Sequence, residues 1–254
     1  MKFLKQSALL LILSLVFASA ALAQDHSEAS PASDLPQKVM YITFDDGPKD
    51  DTPELLALLE ELDVPATFFL VGARVRAFPD HARMIAEAGY PIGYHSMAHS
   101  YSYLKEDVRN ISADLERFTV LMREVVGEAF ETDLFRFPGG STSYSSYARR
   151  YVVEQGYAWF DWNGMTGDTL PNMNAEKIGQ YALKTSGSQD VIILLAHEGK
   201  RKTRDALVGI VEHYRALGYE FRTLSTNPQE RLILERCPAN MRLPAIVTSP
   251  QIAE

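Results

Sequence analysis

Cysteine is almost absent from the 254-residue chain. Cys237 stands alone, so no internal disulfide can form and stability must rest on packing and hydrogen bonds. With no histidine close to it in the chain, Cys237 reads as an incidental half-buried thiol rather than a nucleophile. Basic residues are outnumbered, 25 Lys and Arg against 33 Asp and Glu, for a net charge of −8. That deficit argues against nucleic acid as a partner, because such binding rests on cations that neutralise phosphates. No G-x-S-x-G elbow is present, which removes the commonest serine-hydrolase arrangement. Internal repeats and low-complexity tracts are also missing.

Long apolar runs are lacking except at the start. Lys2 and Lys5 precede an apolar stretch from Leu9 to Ala18, and Ala21-Leu22-Ala23 has the small-residue pattern of a cleavage site. Residues 1–23 therefore read as an export signal. The apolar stretch falls short of the roughly 20 residues a spanning helix needs, so no stable membrane insertion is expected after cleavage, with retention as an anchor the alternative. The expected localisation is periplasmic or secreted. Residues 24–37 are polar and rich in Ser, Asp and Pro, a flexible lead-in. Residues 38–224 form the expected folded domain, and 225–254 a Pro-rich C-terminal extension, partly disordered, in which Leu232 to Leu234 can still pack on the body.

Between these ends, short β-rich runs alternate with amphipathic stretches. Strands are expected at Val39–Phe44, Ala66–Val71, Pro91–Tyr94, Leu134–Phe137, Tyr157–Trp162, Val191–Leu195 and Tyr219–Leu224. Helices are expected at Pro79–Ala88, Tyr147–Gln155, Ala175–Thr185 and Arg204–Leu217, and from Thr52 as N-cap with Pro53 in the first turn. The longest should run from Lys105 to Val126, where Leu104, Val108, Ile111, Leu115, Phe118, Leu121 and Val125 mark one face. Strand–helix alternation of this kind predicts an α/β fold, an irregular barrel of about seven parallel strands.

Five motifs follow the ends of these strands: Thr43 to Pro48, His95 to His99, Arg136 to Gly140, Asp161 to Asp168, and Leu195 to His197. In a parallel barrel, residues at the C-terminal strand ends converge on one face. His95 and His99, four apart, would reach a single metal ion from one side of a helical turn. Adjacent Asp45 and Asp46 supply a third ligand and leave one carboxylate free as a base. Two imidazoles and a carboxylate with an open position match catalytic zinc, with cobalt or nickel as alternatives, and not calcium or magnesium.

With these residues in view, the chain resembles the polysaccharide deacetylases of carbohydrate esterase family 4, the NodB-homology group, over about residues 38 to 224. The family's T-F-D-D-G stands at Thr43 to Gly47, its H-S/T-x-x-H at His95 to His99, its R-x-P at Arg136 to Pro138 and its L-x-H at Leu195 to His197. The resemblance implies Asp45 as general base, with Asp46, His95 and His99 as metal ligands. It implies Arg136 as the partner of the base, His197 as general acid and Leu195 in the acetyl pocket. The Gly139 N–H, after Pro138, would help to hold the oxyanion. The implied reaction is hydrolysis of N-acetyl groups on amino-sugar glycans, such as peptidoglycan GlcNAc and N-acetylmuramic acid or chitin oligosaccharides.

One motif departs from the family's D-x-x-D-W. Either Asp168 orients His197, with Thr169 in the place of the Trp, or Asp161-Trp162 supplies the pair; the first register is preferred. Trp162, Tyr144 and Tyr101 are candidates for stacking on sugar rings, or simple packing residues. Tyr94 stands where the family often has Asn. His81 and His213 fall on expected helices as surface residues. An O-acetyl esterase of the xylan type would use the same machinery. A binding module derived from the enzyme would be expected to have lost Asp45, Asp46 or His197, and all three are present.

Overall fold

The computed structural model describes residues 35–238. The expected signal, residues 24–34 of the lead-in and the chain from 239 onward lie outside the described residues. Among those described, no helix is long and apolar enough to cross a membrane.

Every strand pairing is parallel, and the sheet curls into a half-barrel. Its centre is β1 (Val39–Gly47), the longest strand. On one side follow β2 (Ala66–Leu70), β3 (Ile92–Tyr94), β4 (Leu134–Phe135) and β5 (Ala158–Trp159). On the other lie β7 (Val191–His197) and then β6 (Gly164–Met165), while β8 (Glu220–Phe221) pairs with the first residues of β1.

Because successive strand residues face opposite ways, β1 divides cleanly. Met40, Ile42 and Phe44 join a large outer core under the helices. That layer comprises α1 (Thr52–Glu61), α3 (Pro79–Glu87), α5 (Val108–Val126), α6 (Ser146–Glu154), α7 (Ala175–Ser186) and α8 (Arg201–Ala216), with the short α2 (Gly72–Ala77) and α4 (Tyr101–Glu106) beside it. Val39 and Tyr41 face the concave interior with Phe69, Leu134, Phe160 and Ile193. The last helix, α9 (Pro228–Leu234), adds Ile233 and Leu234 to that interior. At its floor the Tyr41 hydroxyl donates to Glu230, and Arg222 grips the same carboxylate at 3.0 and 2.8 Å. Cys237 is buried in this layer too.

Some local expectations change. The long helix is two, because Asp107 takes an extended backbone and caps α5 by accepting from the Arg109 N–H at 2.9 Å. The apolar spacing from Leu104 to Val108 runs through that break, so periodicity alone hides it. Thr52 is the first residue of α1 rather than its cap; Asp51 holds the cap position, and the Thr52 side chain is buried. The strands expected over 134–137, 157–162 and 219–224 keep only two paired residues each. Beyond them the chain turns into the loops that build the site.

Candidate active site

At the C-terminal mouth of the half-barrel, β1 carries Thr43 and Asp45 inward. Arg136, just past β4, lies across the interior with no solvent exposure. Its guanidinium donates to Asp45 Oδ1 at 2.8 Å, to Thr43 Oγ1 at 2.7 Å and to the Phe160 carbonyl at 2.9 Å. It stacks 4.2 Å from the centre of the Phe69 ring, a favourable environment for a planar cation. Asp45 is 3% exposed. Its charge is thus matched inside the barrel, as a buried carboxylate requires.

Asp46 would point away from Asp45 on a regular strand. Instead the β1–β2 register slips between Asp45 and Gly47, and Asp46 sits there at φ 68°. Such a bulge re-aims a side chain. Asp46 Oδ1 comes to lie 3.4 Å from His99 Nε2 and 3.7 Å from His95 Nε2, and one ligand atom from each of the three residues falls within 4.8 Å of the others.

His95 follows β3 directly. Its Nδ1 lies 2.9 Å from the Arg136 carbonyl, which can only accept, so Nδ1 carries the proton and Nε2 faces the cluster with a free lone pair. Burial pushes its pKa below the usual imidazole value, against the pull of Asp45 and Asp46. A neutral ring with Nε2 so directed is the form that ligates a metal, and the three residues fit a divalent cation.

The expected helical turn at His95–His99 is not there. The segment is a loop in which Ser96 (φ 74°) and His99 (φ 51°) take left-handed conformations. Ser96 Oγ accepts from the His99 N–H at 2.7 Å, and the two imidazole rings meet at 5.1 Å. From below, Asp114 on α5 braces this loop, accepting from the Met97 N–H at 2.7 Å and the Tyr94 hydroxyl at 2.5 Å.

His197 ends β7 opposite Asp45 in the sheet register. Its Nδ1 meets Asp168 Oδ1 at 2.8 Å, and its N–H donates to Asp168 Oδ2 at 2.9 Å. Thr203 adds a third bond to that carboxylate, also at 2.9 Å. Burial lowers the pKa of His197, but the hydrogen bond and charge of Asp168 outweigh it and leave the ring above its usual value. Asp168 is pushed up by burial, and the bonds from His197 bring it below its usual value. The two shifts agree on a charged pair.

Asp161 lies elsewhere: its carboxylate accepts from the Ser141 N–H at 2.8 Å and the Ser141 hydroxyl at 2.6 Å, fixing the loop after Gly139-Gly140. Trp162 beside it borders the same loop, 3.2 Å from where a Cβ on Gly140 would stand. The two registers are thus divided, with the carboxylate on His197 coming from Asp168 and the tryptophan at the mouth being Trp162. Thr169 is exposed.

Gly139 takes φ 71°, a conformation that favours glycine, and a Cβ there would come 2.6 Å from the Tyr101 ring. Its N–H has no acceptor among the described residues. Leu195 sits at the top of the interior, one step along β7 from Ala196, and its carbonyl is held by Thr166. Tyr101 borders His99 at 5.1 Å and is exposed, whereas Tyr144 is core, packed 4.5 Å from Phe137. His81 is not a bare surface residue, since its Nδ1 bonds the Lys49 carbonyl.

Thr43 stood in the first motif without a role of its own, and three contributors escaped the sequence reading: Asp114, Thr203 and Glu198. Asp114 had a signal, because it falls on the apolar face of α5 between Ile111 and Leu115. Glu198 had none beyond its place after His197. It is 3% exposed, and burial pushes its carboxyl up to about 8.

Comparison with known proteins shows the family. Residues 32–160 match the polysaccharide deacetylase family. A peptidoglycan-N-acetylglucosamine deacetylase of Bacillus cereus is 32% identical over 191 residues, covering 73% of this chain and 68% of that protein. The crystal structure of polysaccharide deacetylase Bc1974 from Bacillus cereus superposes with a TM-score of 0.68 at 31% identity, over 74% of this chain and 93% of that one. A carbohydrate esterase family 4 esterase from Streptococcus mutans gives 0.69 at 28% identity, over 74% and 87%. The chain belongs to the polysaccharide deacetylases of carbohydrate esterase family 4, hydrolases of linear amide bonds.

Proposed function

We propose that the protein is an exported, divalent-metal-dependent deacetylase that releases acetate from N-acetylated amino sugars. Peptidoglycan GlcNAc or N-acetylmuramic acid is the leading substrate, and chitin oligosaccharides come next. The observation that carries this reading is the convergence at one barrel mouth of Asp46, His95 and His99 with two separate pairs, the buried Asp45–Arg136 and the half-buried Asp168–His197. The signal-like residues 1–23 support export. The peptidoglycan activity named for the Bacillus cereus relative supports the substrate class.

A divalent cation held by Asp46, His95 and His99, most simply zinc, would polarise the scissile carbonyl and acidify the attacking water. Asp45 is the base that takes a proton from that water, oriented by Arg136 through Oδ1 so that Oδ2 faces the cluster. The unpartnered Gly139 N–H donates to the carbonyl oxygen as charge develops there. His197, protonated and aimed by Asp168, gives its proton to the departing nitrogen. An amine is a poor leaving group, so this acid is needed for an amide more than for an ester. Leu195 and Trp162 line the acetyl and sugar side of the mouth.

The test is acetate release from peptidoglycan, chitin oligosaccharides and acetylated xylan, with added zinc, with chelator, and with Asp45→Asn. Chelator-sensitive release from the amide substrates that vanishes in Asp45→Asn is expected. Release from acetylated xylan alone would overturn the amide assignment in favour of an O-acetyl esterase.

A further inference from the structure

Two adjacent carboxylates serve one site only because Asp46 is held in an unfavourable backbone conformation. A non-glycine residue at φ 68° is strained, because its side chain crowds its own backbone there. Its neighbours must therefore over-determine it, and the contacts on either side of Asp46 show how.

The Asp45 carbonyl accepts from the Glu198 N–H at 3.1 Å, and the Gly47 carbonyl accepts from the Val71 N–H at 2.9 Å. The Glu198 carboxyl then reaches back over the bulge. Oε2 accepts from the Thr52 hydroxyl at 2.5 Å, and Thr52 Oγ1 accepts in turn from the Lys49 N–H at 2.9 Å. Oε1 is buried without a hydrogen-bond partner among the described residues and presses on Gly47. A Cβ on Gly47 would fall 1.5 Å from it. Gly47 is not among the residues with positive φ, so its backbone does not demand glycine. The space taken by Glu198 does. One residue thus touches the chain on both sides of the bulge, at Asp45 before it and at Gly47 and Thr52 after it, and it is the neighbour of His197.

We propose that Glu198 is a positioning residue, whose carboxyl, wedged between Gly47 and Thr52, holds the Asp46 bulge in its metal-binding conformation. The inference rests on the metal site proposed above. Glu198 contacts no ligand atom and transfers no proton; it acts through the backbone of Asp46. Groups that support metal ligands in this indirect way typically change affinity by about 10- to 100-fold when removed.

Zinc affinity of the purified full chain, read by competition with a fluorescent chelator, tests this. Asp46→Ala serves as the control for the site itself: zinc affinity unaltered by Asp46→Ala would remove the metal reading, and the inference with it. Given a site that depends on Asp46, Glu198→Ala is expected to bind zinc at least about tenfold more weakly. Glu198→Gln, which keeps the shape and the Thr52 contact, should stay within about threefold of the parent. Gly47→Ala should weaken zinc as Glu198→Ala does, because its methyl cannot coexist with the wedge. Combining the two should be no worse than the weaker single variant, since the methyl then has room. Unchanged affinity in Glu198→Ala, equal loss in Glu198→Gln, or simple multiplication of the two single losses would each overturn the proposal. If Glu198→Ala does not fold, Glu198→Gln set against Gly47→Ala decides the same question.

Discussion

Glu198→Gln should change how stability depends on pH, and the structure sets the size of the effect. The folded carboxyl sits at about 8 against an ordinary 4.5, chiefly because burial penalises its charge. The Thr52 hydrogen bond and Lys49 pull it down, while Asp51 and Asp46 push it up. A folded-state pKa raised in this way contributes stability that is complete below pH 4.5 and is lost as pH climbs through 8. At about 1.4 kcal/mol per unit, a rise from 4.5 to about 8 amounts to a loss of about 5 kcal/mol, a large share of a typical domain's stability. Glutamine has the same shape and no titration. Urea unfolding of metal-stripped protein, followed by fluorescence from pH 5 to pH 9 for parent and variant, isolates the term, because every other group contributes equally to both. The parent should lose stability relative to Glu198→Gln across this range, by more than about 2 kcal/mol even after relaxation of the ionised site. A difference that stays flat, or that grows in the parent's favour towards high pH, would refute the reasoning, since a carboxyl that does not resist ionisation is not buried as described.

Three further outcomes follow from the same geometry. Arg136→Met leaves the Asp45 carboxylate buried without its cation, which should destabilise the fold by about 3–5 kcal/mol in chemical denaturation and abolish deacetylation; an unaltered unfolding midpoint would count against the pair. Asp168→Asn removes the carboxylate charge that does most to offset the burial of His197, so the pKa of the ring falls. As the acid must be protonated, activity disappears as pH rises, and the alkaline limb of kcat/KM should move to lower pH; a limb that stays in place would separate His197 from the acid role. Asp114→Ala strips the Met97 N–H and the Tyr94 hydroxyl of their shared acceptor, and should weaken zinc binding about tenfold while costing about 1–3 kcal/mol of stability, as measured by chelator competition and denaturation.

What was legible in the sequence was whatever local pattern encodes. Apolar runs such as Val191–Leu195 gave strands, three- and four-residue spacing gave helices, and motif positions at strand ends gave a common face. What escaped depends on contacts between distant residues, or on elements too short to have a period. The six residues of α2 and the two of β6 carry no usable periodicity. The break at Asp107 is invisible because Leu104 and Val108 keep helical spacing across it. Spacing alone suggested a helical turn at His95–His99, whereas the segment is a loop held by Ser96 from within and Asp114 from below. Likewise, the division of labour between Asp161 and Asp168 is a matter of which loop each carboxylate caps, and both are Asp.

The deepest omission concerns Asp45 and Asp46 themselves. Reading both as site residues contradicts the strand on which they lie, because side chains at neighbouring positions of a strand leave opposite faces. Phe44 faces the outer core and Asp45 the interior, so regular continuation would send Asp46 under the helices, where a carboxylate has no partner. Only the slip between Asp45 and Gly47 returns it to the mouth. The pair Asp-Asp is thus usable only together with the Gly that follows, the Thr five residues further on, and a Glu just past the end of a strand more than a hundred residues away. Asp45 acts from a regular strand with Arg136 against it, while Asp46 acts from a bulge that Glu198 must hold. Identical side chains next to each other in the chain thereby acquire different backbones, different neighbours and different chemistry.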